Sequence, residues 1–179
     1  SEIDEVHQVM DIVGTIRNEF SRRGIAYDEK MPIGGMIEVP AAAICAEDFA
    51  RELDFLSIGT NDLIQYAVAI DRVNDEVSYL YDPLNPGVLR LIATSIAAGR
   101  KLGIPVAMCG EMAGDTRYTR LLLGLGLEEF SVHPTALLEI NHFLKSTSAR
   151  EAKVLAQKLL RTTAPAKRKE LIASIVAPS

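Results

Sequence analysis

The sequence predicts an α/β fold in which short parallel strands alternate with helices, and three observations carry that prediction. Four short runs, residues 33–39, 55–59, 105–109 and 129–133, are nearly continuous in apolar character, the pattern of parallel strands buried on both faces. Segments of helical period separate them. Polar residues gather just past the ends of the runs, where loops of such units build sites: Glu38, Asn61, Asp62, Cys109 and His133 all stand there.

The elements follow in order. Val6, Val9, Met10, Val13, Ile16 and Phe20 recur at helical spacing, and Gly24 after Arg22 and Arg23 is a helix stop. The first strand ends in Glu38 and Pro40, and a helix is expected from Pro40 to about Glu52. After the second strand, Thr60-Asn61-Asp62 reads as a polar turn into a helix over 63–69. Residues 71–85 are charged, then carry Tyr79, Tyr81 and Pro83, with Pro86 just beyond, and read as a long functional loop. A helix is expected over 88–102, and the third strand can hold Pro105 only at its start. Residues 110–115 form a polar turn into a helix near 118–123, Pro134 opens a helix after the fourth strand, and helices over 149–160 and 167–176 finish the chain.

Composition narrows the function. The 179 residues suffice for a single packed core, and 48% apolar with 24% charged residues is ordinary for a globular protein. A net charge of −5 gives no electrostatic support for nucleic-acid binding, and the Lys167-Arg168-Lys169 cluster reads as a solvated helix face. Two cysteines far apart make no disulfide framework and point to a reducing compartment. No apolar run approaches the roughly 18 residues a membrane span needs, so membrane insertion is not expected. The opening Ser-Glu-Ile-Asp-Glu lacks the basic and apolar regions of a signal peptide, and a cytoplasmic location is the expectation.

Glu38 and Asp62 are the clearest chemical pair. Two carboxylates at the same end of adjacent parallel strands can converge on a hard cation such as Mg²⁺; each could instead cap the helix that follows it. Asn61 suits a phosphate oxygen or a turn, and Arg72 suits bidentate contact with phosphate or carboxylate. Cys109 ends a strand before Gly110-Glu111, where a thiol could exchange a proton with a substrate carbon or simply pack as a small apolar group. Cys45, in an alanine-rich helix, reads as core. His7 and His142 lie on helices without a ligand cluster, and His133 is a hydrogen-bonded structural residue or a site residue. Neither GxGxxG nor a P-loop occurs.

Four strand–helix units fit two architectures: half of an eight-stranded barrel, or a small open doubly wound sheet with edges to cover. The motifs decide between them through a resemblance. Residues 35–42, Gly-Met-Ile-Glu-Val-Pro-Ala-Ala, then 54–66, Asp-Phe-Leu-Ser-Ile-Gly-Thr-Asn-Asp-Leu-Ile-Gln-Tyr, then Asp71-Arg72 and 108–115, Met-Cys-Gly-Glu-Met-Ala-Gly-Asp, resemble in order and spacing the Enzyme I family of the bacterial sugar phosphotransferase system. The likeness runs over essentially the whole chain. Pyruvate phosphate dikinase and phosphoenolpyruvate synthase share the Ser-Ile-Gly-Thr-Asn-Asp theme.

The resemblance implies a phosphoenolpyruvate-type TIM (β/α)₈ barrel, of which residues 1–179 would be the C-terminal half, strands five to eight, with the upstream half-barrel and phosphohistidine domain outside the chain. It implies Mg²⁺ on Glu38 and Asp62, and phosphoryl contacts from Asn61, Asp62 and Arg72. Cys109 would be the acid that protonates the enolate to pyruvate, and the backbone at Gly110 would help hold the substrate carboxylate. The acceptor would be a histidine on another domain, which passes the phosphoryl group to the carrier protein HPr. A homodimer is expected, since family barrels dimerise and a half-barrel has raw edges. Ser131-Val-His133-Pro134 departs from the small-residue turn of many relatives. The alternatives are a non-catalytic half-barrel dimerisation module and a fragment of a dikinase or synthase.

Overall fold

The computed structural model describes residues 2–71 and 74–176. Helix α1 (Ile3–Arg23) begins at a capping box between Glu2 and Glu5 and stops at Gly24, whose φ of 65° is left-handed. Strand β1 (Gly34–Ile37) leads through Glu38 to Pro40, which opens helix α2 (Pro40–Ile44); α3 (Ala46–Glu52) follows. Strand β2 (Phe55–Gly59) runs directly into α4 (Thr60–Val68). A loop with one 3-10 turn at Ser78–Leu80 precedes α5 (Pro86–Leu102) and β3 (Val106–Cys109). The short α6 (Glu111–Gly114) and α7 (Thr116–Leu125) lead to β4 (Glu129–Phe130), and α8 (Leu137–Ser146), α9 (Ala149–Arg161) and α10 (Pro165–Val176) complete the chain.

The four strands form one parallel sheet in sequence order, β1-β2-β3-β4, with β1 and β4 at its edges, so the sheet is open. Side chains alternate across a strand, and the register therefore sorts them into two faces. Ile37, Ile58 and Met108 align in one row, and with Leu56 and Val106 they are buried beneath the helices. Met36, Ser57 and Ala107 align in the other row; Met36 is 52% exposed, and Ser57 and Ala107 are only half-buried. One face is thus dry and the other is not, whereas the apolar runs predicted burial on both. Parallel sheets are almost always covered on both faces, and an uncovered face on an unclosed sheet is the form of a half-barrel.

Several local expectations change. The helix expected from Pro40 to Glu52 is two, broken at Cys45, and Cys45 is exposed rather than core, because the break turns its side chain off the packed stripe. Thr60, Asn61 and Asp62 are the first turn of α4, not a turn before it. The fourth strand is two residues long: Ser131 N–H still donates to the Met108 carbonyl at 2.9 Å, but residues 132–136 leave the ladder, and the helix opens at Leu137 rather than Pro134. Arg168 is buried, not part of a solvated face, while Lys167 and Lys169 are exposed.

Helix α7 joins the sheet to a second apolar core of Leu89, Leu121, Ala156, Leu159, Leu171 and Ile175, built with α5, α9 and α10. At its N-terminus Asp115 accepts from the Arg117 N–H at 2.9 Å and from Arg117 Nε at 2.9 and 3.0 Å. The Arg117 side chain holds the Asp115 carboxyl below the ordinary aspartate range, with burial opposing and the backbone N–H assisting. A depressed carboxylate stabilises fully above its unfolded pKa, about 3.9, and loses that contribution as pH falls through the lower folded value. The stability difference between wild type and Asp115→Asn, followed by urea unfolding, is therefore largest above about pH 5 and narrows as the pH drops below about 4. Further along α7, a Cβ on Gly124 would collide with the Ala152 carbonyl oxygen and lie 2.9 Å from the Ala156 Cβ of α9. Gly124→Ala is expected to cost about 1–3 kcal/mol by the same assay; an unchanged midpoint would mean that α7 and α9 do not pack this closely.

Candidate active site

The C-terminal end of the sheet collects nearly all the residues singled out by sequence. Gly59 and Cys109 are register partners at the ends of β2 and β3. Glu38, one residue past β1, leans over the same point: a Cβ on Gly59 would lie 3.0 Å from Glu38 Oε2. Asn61 and Asp62 stand in the first turn of α4, immediately beyond Gly59. All three are half-buried. Glu38, Gly59, Asn61, Asp62, Cys109 and Gly110 therefore occupy one end of the sheet, as the motif spacing predicted. Arg72 lies outside the described residues.

The ends of β2 and β3 are tied side chain to backbone. The Thr60 hydroxyl, with no solvent exposure, donates to the Cys109 carbonyl at 3.2 Å. Asn61 Oδ1 accepts from the Glu111 N–H at 3.1 Å. A backbone N–H can only donate, so this contact fixes the amide orientation and turns the Asn61 NH₂ group toward other acceptors. Between these two ties Gly110 adopts a φ of 95°, and a Cβ there would lie 2.5 Å from Thr60 Oγ1 and 3.1 Å from Asn61 Oδ1. The turn after Cys109 thus closes onto α4 only because residue 110 has no side chain.

Cys109 is half-buried, and its Sγ has two polar neighbours. The Ser57 hydroxyl donates to it at 3.6 Å, and the thiol donates to the Ile58 carbonyl at 3.6 Å. The S–H proton is thereby located toward β2. Ser57 and Thr60 were not singled out by sequence; the signals that could have found them are the two-residue alternation along β2, which aligns Ser57 with Gly59, and the position of Thr60 at the strand–helix junction.

Glu38 and Asp62 form no hydrogen bond or ion pair with any other described residue. Two half-buried carboxylates with no partner among the described residues, at one end of a sheet, are free to take up a cation. No group of three or more His, Cys, Asp or Glu side chains suited to a metal occurs among the described residues. A two-carboxylate set fits Mg²⁺, which keeps several waters and takes its remaining ligands from substrate oxygens, better than a metal that needs a full protein cage. His133 is exposed and turned to its own loop, Nδ1 lying 2.9 Å from Thr135 Oγ1 and accepting from the Thr135 N–H at 3.4 Å. That loop meets the turn after Cys109, with the Ala136 Cβ 3.9 Å from the position of a Cβ on Gly114. His142 is exposed on α8, and His7 of α1 lies 3.6 Å from Glu52 of α3.

Comparison with known proteins identifies the family. Residues 1–149 match the family model described as PEP-utilising enzyme, PEP-binding domain. A phosphoenolpyruvate-protein phosphotransferase of Cupriavidus necator is 43% identical over 174 residues, 97% of this chain and 30% of that protein. Proteins of the same name from Mycoplasma capricolum subsp. capricolum and Listeria monocytogenes are 48% identical over 158 residues and 44% identical over 170 residues, covering 88% and 95% of this chain. The chain spans 28% to 30% of the length of these relatives. With residues 1–149 matching the family model, the chain belongs to the PEP-utilising enzymes, in the part that the family describes as the PEP-binding domain.

Proposed function

We propose that this chain is the C-terminal half of the phosphoenolpyruvate-binding barrel of a phosphoenolpyruvate-protein phosphotransferase. The single observation that carries the reading is the convergence of Glu38, Asn61, Asp62, Cys109 and Gly110 at one end of a parallel sheet. In the complete polypeptide an upstream half-barrel covers the open sheet face, and a phosphohistidine domain supplies the acceptor. The barrels pair as a homodimer, and the protein works in the cytoplasm. HPr is the onward carrier through the upstream domains. The remaining substrate contacts would come from the upstream half-barrel.

Glu38 and Asp62 would hold Mg²⁺, which when bound neutralises charge on the phosphoryl group. The Asn61 NH₂, left over once Oδ1 has accepted from Glu111, donates to a phosphoryl oxygen. Arg72 is proposed, on the resemblance alone, as a second phosphoryl contact. Gly110 brings the backbone close enough to hold the substrate carboxylate. As the phosphorus–oxygen bond of phosphoenolpyruvate breaks and a phosphorus–nitrogen bond forms on the acceptor histidine, the enolate of pyruvate is released. Its methylene carbon takes the proton of Cys109 Sγ, and the thiolate regains a proton from solvent. Ser57, donating to Sγ, steadies the sulfur in both states.

The test uses the native gene product. Incubated with phosphoenolpyruvate and Mg²⁺, it is expected to form a phosphohistidine and release pyruvate, both abolished by chelation and restored by adding Mg²⁺. A Mg²⁺-supplied native protein that neither labels nor consumes phosphoenolpyruvate would sink the reading. Cys109→Ala is expected to slow pyruvate release by at least about 100-fold, the typical weight of a positioned general acid. Gly110→Ala, which forces a side chain onto Thr60 and into a left-handed conformation, is expected to cut turnover about tenfold or more and to destabilise the fold by roughly 1–3 kcal/mol.

A further inference from the structure

Arg168 is the one charged residue among the described buried polar side chains, 9% exposed, and no described carboxylate pairs with it. A buried guanidinium without a counter-ion is costly unless its donors are satisfied. Here they are satisfied by carbonyls of two separate elements. Nη1 donates to the Leu159 carbonyl at 3.3 Å, in the last turn of α9, an oxygen that also accepts from the Thr162 N–H at 3.2 Å and lies at the partially negative end of the helix. Nη2 donates to the Leu84 carbonyl at 3.0 Å, 84 residues away in sequence.

Leu84 lies in the long connection between α4 and α5, just before Asn85 caps α5. Helix α5 descends to Gly103 and enters β3 from its N-terminal end, so the start of α5, and Leu84 with it, lies at the end of the sheet that holds Cys109. The same connection leaves from α4, whose first turn carries Asn61 and Asp62. Its described part is stitched by short-range bonds: Asn74 N–H to the Asp71 carbonyl, Ser78 to Asn74, Leu80 to Val77, Tyr81 to Ser78 and Asn85 to Asp82. A tie on Leu84 is therefore transmitted along a chain of turns rather than into slack backbone.

We infer that Arg168 is a positioning residue of the site: from the C-terminal helix pair it clamps the returning stem of residues 74–85 and so fixes the loop beside the substrate-binding end of the sheet. An arginine is needed because only its planar fork reaches two carbonyls in fixed directions. The consequence for activity rests on the phosphotransferase reading above; the consequence for the loop does not.

The experiment compares the native gene product with its Arg168→Met and Arg168→Lys variants by hydrogen exchange and by steady-state kinetics with phosphoenolpyruvate. Met keeps the volume and apolar stem but removes both donors. In Arg168→Met, amides of residues 74–85 are expected to exchange at least about tenfold faster, while amides of β2 and β3 keep their protection. The KM for phosphoenolpyruvate rises about tenfold with kcat within about twofold, as loss of positioning before the chemical step requires. Arg168→Lys, with charge but no fork, falls between the two. Unchanged exchange over 74–85, or loosening confined to α9 and α10, would overturn the clamp. Faster loop exchange with an unchanged KM would overturn its link to substrate. A wild-type protein inert toward phosphoenolpyruvate would remove the phosphotransferase reading and leave the exchange comparison to decide the clamp alone.

Discussion

The bond from the buried Thr60 hydroxyl to the Cys109 carbonyl, with the Asn61–Glu111 contact beside it, holds the rest of the site in place. Strand pairing brings Gly59 opposite Cys109 but leaves the chain free to diverge where the ladder ends. These two side chain–backbone bonds carry the pairing one turn further, into α4 and α6, where ladder hydrogen bonds cannot reach. A donor with no access to water cannot trade its partner for solvent, so breaking the Thr60 bond costs the desolvation of the hydroxyl as well as the bond itself. Glu38 leaning over Gly59, the thiol proton directed at Ile58 and the bare backbone at Gly110 all take their positions from that junction.

The surrounding packing divides into two tasks. The first core, including Ile37, Leu56, Ile58, Met108 and Leu122, presses α2, α3, α5 and α7 onto one side of the sheet and makes a rigid platform. The second, centred on Leu121, Leu159 and Ile175, binds the C-terminal helices to α7 and to the start of α5. The platform fixes where the strands end, and the helical annex braces the connections that leave those ends. The uncovered row of Met36, Ser57 and Ala107 belongs to neither core.

Much of this was legible in the sequence because the repeated strand–helix unit leaves a strong periodic signal. Each apolar run became a strand, and the polar residue after each run landed at the same end of the sheet. Of the site residues the resemblance implied, Glu38, Asn61, Asp62, Cys109 and Gly110 lie at that end. What was not legible depended on contacts between distant segments. Cys45 looked like core because its neighbours Ala42, Ala43 and Ala46 are core, but a break between two short helices rotates it outward. Thr60 to Asp62 looked like a turn because Thr, Asn and Asp favour turns, yet the Gly59 junction lets the helix start at once. Arg168 stood between two solvated lysines, and nothing local distinguishes it; its partner Leu84 is 84 residues away. The one-sided burial of the sheet was also hidden, since Ser57 and Ala107 are small enough to suit either an interior or an open face.

The parallel register has a kinetic side. The bonds that assemble the site join residues 49 to 52 positions apart, Thr60 to Cys109 and Ser57 to its thiol among them, whereas β1 meets β2 across a much shorter interval, Gly34 opposite Phe55. The equilibrium difference is slight, as loop closure costs only about 0.6 kcal/mol per doubling of length. The order of events is affected more, because non-local pairings are slow to find. The long connection and α5 must be synthesised and compacted before Cys109 can reach Ile58. The thiol therefore stays outside its pocket until the third strand docks, and the chemistry-bearing end of this molecule is among the last parts of its sheet to become native.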